Sequence, residues 1–106
     1  GITIEDGCFI GPGVTFTNDK YPRSPRLEIE SIKERYKTKE KWLSKTLVNI
    51  GASIGARAII NPGVSIGKYS MISSGSLVTK DIPPYSLVIG NPGRIIGNVD
   101  KKGNIV

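Results

Sequence analysis

Aliphatic residues recur along this chain at a spacing that neither a helix nor an ordinary strand would select. Val48, Ile54, Ile60, Ile66, Ile72 and Val78 stand six apart, and Ile4, Ile10 and Phe16 repeat the spacing near the start. A helix wants apolar positions three and four apart, and a half-buried strand alternates by two. Two positions before an aliphatic stands a short side chain: Cys8 and Val14 upstream, then Ala52, Ala58, Val64, Ser70 and Ser76. A period of six puts one inward aliphatic on each face of a triangular coil, so three hexads, about eighteen residues, close a turn. Successive coils stack through parallel backbone hydrogen bonds around a ladder of aliphatics. Glycine follows the aliphatic residue at Gly11, Gly55 and Gly67, where it is expected to serve tight bends with unusual dihedral angles.

The phase breaks once. The separation between Phe16 and Val48 is not a multiple of six. Residues 17–47 are therefore expected to leave the coil as an inserted loop. Leu27, Ile29, Ile32 and Tyr36 suit one face of a helix, and the Glu/Lys-rich stretch 28–41 supports that; a projecting hairpin is the alternative. After Ile82-Pro83-Pro84 the repeat is expected to stop, since prolines do not serve a central strand. The reading is one all-β domain over 1–106: coil 1–16, inserted loop 17–47, coils 48–83 and a C-terminal tail 84–106. The hexads begin at once, so further N-terminal coils, or a partner covering that open end, are expected.

Composition narrows the class. The chain has 106 residues, 23% charged and 38% hydrophobic, which suits one soluble folded domain. No apolar run is long enough for a membrane helix, and no secretory signal pattern opens the sequence. The single cysteine, Cys8, excludes an internal disulfide framework and suits a reducing cytoplasm. At a short repeat position it reads as packing rather than a nucleophile. The net charge of +6 is uneven: residues 17–47 carry nine Lys/Arg against five Asp/Glu. A basic surface attracts polyanions. Nucleic acid is one candidate, but no nucleic-acid motif accompanies the charge, and a phosphorylated small molecule fits it as well; neither a nucleic-acid nor a membrane partner is expected. The chain contains no histidine, which removes the commonest general base and a common metal ligand; no metal is expected.

Three strings go further: Gly11-Pro12-Gly13-Val14-Thr15-Phe16-Thr17-Asn18-Asp19 followed by Tyr21-Pro22-Arg23; Gly51-Ala52-Ser53-Ile54-Gly55-Ala56; and Ser74-Gly75-Ser76-Leu77-Val78-Thr79-Lys80-Asp81-Ile82-Pro83-Pro84-Tyr85 with Gly90-Asn91-Pro92-Gly93-Arg94. With these the chain resembles the hexapeptide-repeat acyltransferases that N-acetylate nucleotide-linked 3-amino sugars for surface polysaccharides. The third string is common to many hexapeptide acyltransferases. The Thr-Asn-Asp string before Tyr-Pro-Arg points more narrowly to the amino-sugar group. The resemblance implies a left-handed parallel β-helix, a homotrimer with its active site between neighbouring subunits, and acetyl-CoA as acyl donor along the coil stack.

N-acylation needs a neutral amine beside a thioester carbonyl, and such an amine is nucleophilic without the base that a hydroxyl requires. The missing histidine therefore favours an amine acceptor, provided the site lies within these residues. Asn18 and Asp19 are the expected catalytic residues, orienting the amine and taking its proton; plain turn chemistry is the competing account of the pair. By resemblance, Ser74 and Gly75 meet the pantetheine arm of the donor, Thr79 and Lys80 its adenosine end, and Arg94 a phosphate. For Lys80 and Arg94 singly, ordinary solvated charge explains as much. Tyr21 and Arg23 are placed against the nucleotide of the sugar substrate, with a structural loop role as the alternative. Trp42 reads as an anchor of the insertion to the coil, with closure over the cleft as the alternative. Two other functions compete: a non-enzymatic structural β-helix, and an O-acetyltransferase with another acceptor.

Overall fold

A computed structural model describes all residues 1–106. The chain is a left-handed parallel β-helix with three short-stranded faces. One face carries β1 (Ile2–Ile4), β4 (Thr46–Val48) and β7 (Ser65–Ile66). The second carries β2 (Phe9–Ile10), β5 (Ser53–Ile54), β8 (Met71–Ile72), β10 (Ser86–Ile89) and β11 (Arg94–Asn98). The third carries β3 (Thr15–Phe16), β6 (Ile59–Ile60) and β9 (Leu77–Val78). The hexad aliphatics stack directly, each on the one three hexads along the chain: Val48 on Ile66, Ile54 on Ile72 and Ile60 on Val78.

The core is the ladder that the period predicts. Val48, Ile54, Ile60 and Ile66 are fully buried, with Ala52 and Ala58 filling the corners between them. Burying each large aliphatic contributes about 1.5–3 kcal/mol. In the first coil the same inward positions are open: Ile4 is 46% exposed and Ile10 36%, with no rung of residues 1–106 above them. Cys8 is half-buried at its corner, and its thiol donates to the carbonyl of Asn49 at 3.1 Å.

Two expectations about the coil need correcting. Gly11, Gly55 and Gly67 do not adopt left-handed dihedrals; positive φ recurs instead just before the short residue, as at Gly51 (+71°) and Gly75 (+72°). What excludes a side chain after the aliphatic position is close stacking. A Cβ on Gly55 would lie 2.5 Å from the backbone nitrogen of Ser74, and one on Gly67 2.4 Å from that of Pro84. The repeat also continues past Pro83-Pro84. Both prolines sit at a corner, outside any strand, so they break no ladder. A fourth rung follows through Ile82, bridged to Ile66, and Val88, paired with Ile72. This rung is shorter than three full hexads. Where it falls out of step, serines replace the alanines of the regular corners. Ser70 Oγ donates to Pro83 O and accepts from the Ser86 amide, while Ser76 Oγ accepts from the Gly90 amide. The chain then reverses, and antiparallel β11 closes the second face. The final turn is held by Asp100, whose carboxyl is kept below its ordinary range chiefly by the Asn104 amide.

The insertion combines both forms considered for it. Ile4 pairs with Val48, far beyond the three-hexad step that separates Val48 from Ile66, so the extra length lies between the first and second rungs. Its neck is a short antiparallel pinch: the Ser44 amide donates to Asn18 O at 2.8 Å, and Asp19 bridges Leu43. Beyond the neck lie α1 (Glu30–Arg35) and α2 (Lys39–Trp42). Ile32 is the buried anchor of α1, whereas Leu27 and Ile29 stay exposed. The coil resumes at Thr46, slightly before the expected boundary.

Ile54→Ala in the closed ladder should cost about 3 kcal/mol, and Ile4→Ala at the open rung less than about 1 kcal/mol. Urea midpoints at unchanged slope measure both, and equal costs would contradict the ladder. Gly55→Ala should destabilise by about 1–3 kcal/mol through overpacking alone.

Candidate active-site corner

The register decides which expected residues come together. Phe16 pairs with Ile60 and Ile60 with Val78, so the residues that follow, Thr17, Asn61 and Thr79, form one column at the same corner. The amides of Thr17 and Asn61 continue the ladder, donating to Ile60 O and Val78 O. Thr17 Oγ1 adds a second bond to Ile60 O at 3.0 Å. Asn18 and Asp19 thus leave the first rung about 10 Å from where Thr79 and Lys80 leave the third, two inter-strand spacings away.

At the Asp19 end, a hollow of about 180 Å³ is lined by Asp19, Lys20, Tyr21, Arg35, Trp42 and Ser44 among others. Asp19 is half-buried, and both its carboxylate oxygens are engaged. Oδ1 accepts from the Tyr21 amide at 3.2 Å, and Oδ2 from the Tyr36 hydroxyl at 2.5 Å. The first of these bonds is the turn chemistry weighed for this residue. Asn18 is exposed at the neck. Tyr21 is 70% exposed, and its carbonyl accepts from Arg35. Arg23 lines an adjoining hollow with Lys20, Tyr21 and Arg35.

The charge here is arranged rather than merely abundant. Glu34 pairs with Lys37 and Lys41, which together hold its carboxyl at about 2, Lys37 most strongly. Glu28 pairs with Lys33. Lys20, Arg23 and Arg35 take part in none of these pairs and line the two hollows that share Tyr21, with Glu40 a second carboxylate beside Asp19 in the first.

At the other end, Thr79, Lys80 and Arg94 share a second hollow, of about 140 Å³, with Val78, Asp81, Ile82, Gly93 and Ile95. It is shaped by the fourth rung: the Gly93 amide donates to Leu77 O at 2.7 Å, which brings Arg94 alongside Thr79. Lys80 and Arg94 outnumber the single carboxylate, Asp81, whose Oδ1 accepts from the Ser65 amide, and Val78, Ile82 and Ile95 add apolar surface. The lining suits an anionic ligand with an apolar arm, which is the chemistry of coenzyme A. Ser74 and Gly75 join neither cluster. They lie exposed at the other end of the third face, at the corner preceding β9, where the Gly75 amide donates to Ala56 O.

Sequence reasoning misses Tyr36 and Arg35 as site residues. It places Tyr36 on a helix face with Ile32, and the structure does seat it at the end of α1; but its hydroxyl faces Asp19. Trp42 is half-buried with its ring 5.9 Å from that of Tyr36, so it ties the two helices of the insertion to each other, and it also lines the hollow beside Asp19.

A left-handed β-helix of hexapeptide rungs with a corner insertion defines the class. No family model matches the chain. Among known proteins it is similar to dTDP-3-amino-3,6-dideoxy-alpha-D-galactopyranose 3-N-acetyltransferase of Aneurinibacillus thermoaerophilus, 46% identical over 55 residues, 52% of this chain and 29% of that protein. A maltose O-acetyltransferase from Clostridium difficile superposes with a TM-score of 0.73 at 31% identity, covering 93% of this chain and 49% of its own. A galactoside acetyltransferase in complex with coenzyme A gives 0.72 at 31%, covering 95% and 46%. The relatives and structural neighbours of this chain are hexapeptide-repeat acetyltransferases, and it spans less than a third of the curated relatives and about half of these solved chains.

Trp42→Ala should loosen the insertion without melting the coil. Proteolytic cleavage within residues 20–42 should quicken about tenfold, matching about 1.4 kcal/mol of lost local stability, while the coil's Tm falls by no more than about 3 °C. A collapse of the whole fold would show that the insertion supports the ladder.

Proposed function

We propose that this chain is part of an acetyl-CoA-dependent N-acetyltransferase acting on the amine of a nucleotide-diphosphate-linked amino sugar, for surface polysaccharide. The observation that carries the reading is the shared corner: a carboxylate in a cation-flanked hollow stands two rungs from a second hollow walled by Lys80 and Arg94. Its relationship to the 3-amino-sugar acetyltransferase supports the acceptor, and the coenzyme A in a structural neighbour supports the donor.

Acetyl-CoA supplies an activated acetyl thioester. Lys80 and Arg94 hold its phosphates, with Arg94 offering a planar two-pronged donor, and Thr79 lines the same wall. Ser74 and Gly75 contact the pantetheine arm from the neighbouring corner. Lys20, Arg23 and Tyr21 hold the sugar's diphosphate and base. Asn18 and Asp19 orient the amine so that its nitrogen bonds to the acetyl carbon as the carbon–sulfur bond breaks. The amine proton passes to Asp19 and on to the departing thiolate. Positioning provides most of the acceleration, and Asp19 adds general-base assistance.

The working assembly we propose is a cytoplasmic homotrimer. Phe9, 62% exposed, and Ile59 point outward on the faces that meet before this corner, which suits packing of a neighbouring subunit. No helix of the chain is long and apolar enough to cross a membrane.

A second reading, O-acetylation of a sugar hydroxyl, is favoured by the likeness to the maltose enzyme. Residues 1–106 hold no histidine to serve a hydroxyl as base, which weighs against it for a site built from these residues. Acetyl-CoA with dTDP-3-amino-3,6-dideoxygalactose, followed by release of free thiol, separates the two when maltose is run in parallel. Turnover of the amino sugar alone is expected; turnover of maltose alone would overturn the N-acylation reading. Asp19→Asn should lower kcat by about 10²-fold. Arg94→Ala should weaken acetyl-CoA about tenfold in calorimetry, about 1.4 kcal/mol.

A further inference from the structure

We propose that Tyr36 is the positioning residue of this site: its hydroxyl fixes the carboxylate of Asp19 in the orientation the reaction uses. The inference rests on the role given to Asp19 above.

The Tyr36 oxygen joins three segments. It donates to Asp19 Oδ2 at the coil exit and accepts from the Arg23 amide in the substrate loop at 3.0 Å. A phenol has one hydrogen to give, so its donation is committed to Asp19. The oxygen is itself held from behind. Tyr36 caps α1, with its amide bonded to Ile32 O, and Ile32 is the one buried residue of that helix. Its ring rests 5.9 Å from Trp42, and the Arg35 guanidinium lies 5.9 Å from the ring centroid. A helix anchored by Ile32 thus aims one hydroxyl at one carboxylate.

The turn at Tyr21 does not supply this control. Its amide reaches Oδ1 only, leaving the other carboxylate oxygen to swing. With the phenol on Oδ2, the carboxylate plane is fixed at both oxygens. Misplacing a reacting group by ~1 Å costs on the order of 10²-fold in rate, so a lost clamp should register in turnover rather than in donor binding. The donor hollow shares no residue with this network.

Tyr36→Phe removes the hydroxyl and keeps the ring against Trp42. With acetyl-CoA and dTDP-3-amino-3,6-dideoxygalactose, kcat should fall about tenfold or more, with KM for acetyl-CoA unchanged and Tm within about 2 °C of wild type. In an Asp19→Asn background the same substitution should add little, because it acts through Asp19. An equal fold-loss in both backgrounds, or wild-type kcat in Tyr36→Phe, would overturn the clamp while leaving the Asp19 role standing. If Asp19→Asn itself turns over normally, or the wild-type protein does not acetylate the probe, the reading of Asp19 falls and the clamp with it. A measurement on the folded wild-type protein guards against a variant that misfolds. The Tyr36 hydroxyl proton should exchange slowly in NMR and be lost in Asp19→Ala; rapid exchange in wild type would overturn the proposal.

Discussion

The structure depends on one constraint, the parallel register that ties each rung to the next. Backbone amides bond to carbonyls one turn further along, as Ser53 to Ser70 and Gly55 to Ile72, both at 2.8 Å. That spacing forces every sixth residue inward and stacks like on like. Because the stack passes directly through the corners, no Cβ fits at Gly55 or Gly67. Because backbone carbonyls and amides must both be satisfied wherever the register slips, serine hydroxyls appear beneath the shortened rung: Ser70 donates to the Pro83 carbonyl, and Ser76 accepts from the Gly90 amide. The hydrophobic ladder provides the driving force, and the hydrogen-bond register decides which face each side chain meets.

The candidate site is a consequence of that register. A corner is the one place where a chain can leave the coil and return without disturbing the ladder. The added segment departs after Phe16, is pinched at Asn18 and Ser44, and rejoins at Thr46 in phase. Loop-closure cost grows only slowly with length, so such an insertion is thermodynamically mild. The same corner two rungs on is where Thr79 and Lys80 emerge, and the reversal into β11 brings Arg94 beside them. Residues distant in sequence are gathered because the solenoid repeats.

Much of this was legible in the sequence, for a physical reason. A period of six has no use in a helix or an ordinary strand, so Val48 through Val78 specify the coil and its pairing almost alone. The insertion was visible as a phase error between Phe16 and Val48. Its helical content was visible too, since α1 and most of α2 fall within the Glu/Lys-rich stretch 28–41. The full apolar face was not, because α1 is too short to use it, and Leu27 and Ile29 face solvent while Ile32 alone is buried. The prolines misled because a corner and a chain end carry the same local signal. At Gly11, Gly55 and Gly67 the misreading had another source: close stacking and left-handed dihedrals both select glycine, and only three dimensions tell them apart. Tyr36 was hidden for the same reason, since its partner Asp19 lies well back along the chain, across the neck.

The corner linking Asp19 to Lys80 and Arg94 is, on this account, where donor and acceptor meet. Amide NMR during titration with acetyl-CoA tests it most directly. Saturable shifts concentrated at Thr79–Ile82 and Gly93–Ile95, then extending to Asn18–Tyr21 when dTDP-3-amino-3,6-dideoxygalactose is added with a non-reacting thioether analogue of the donor, would bear the account out. Shifts centred instead on the corner at Ser70 and Ser86, or none at millimolar acetyl-CoA, would contradict it.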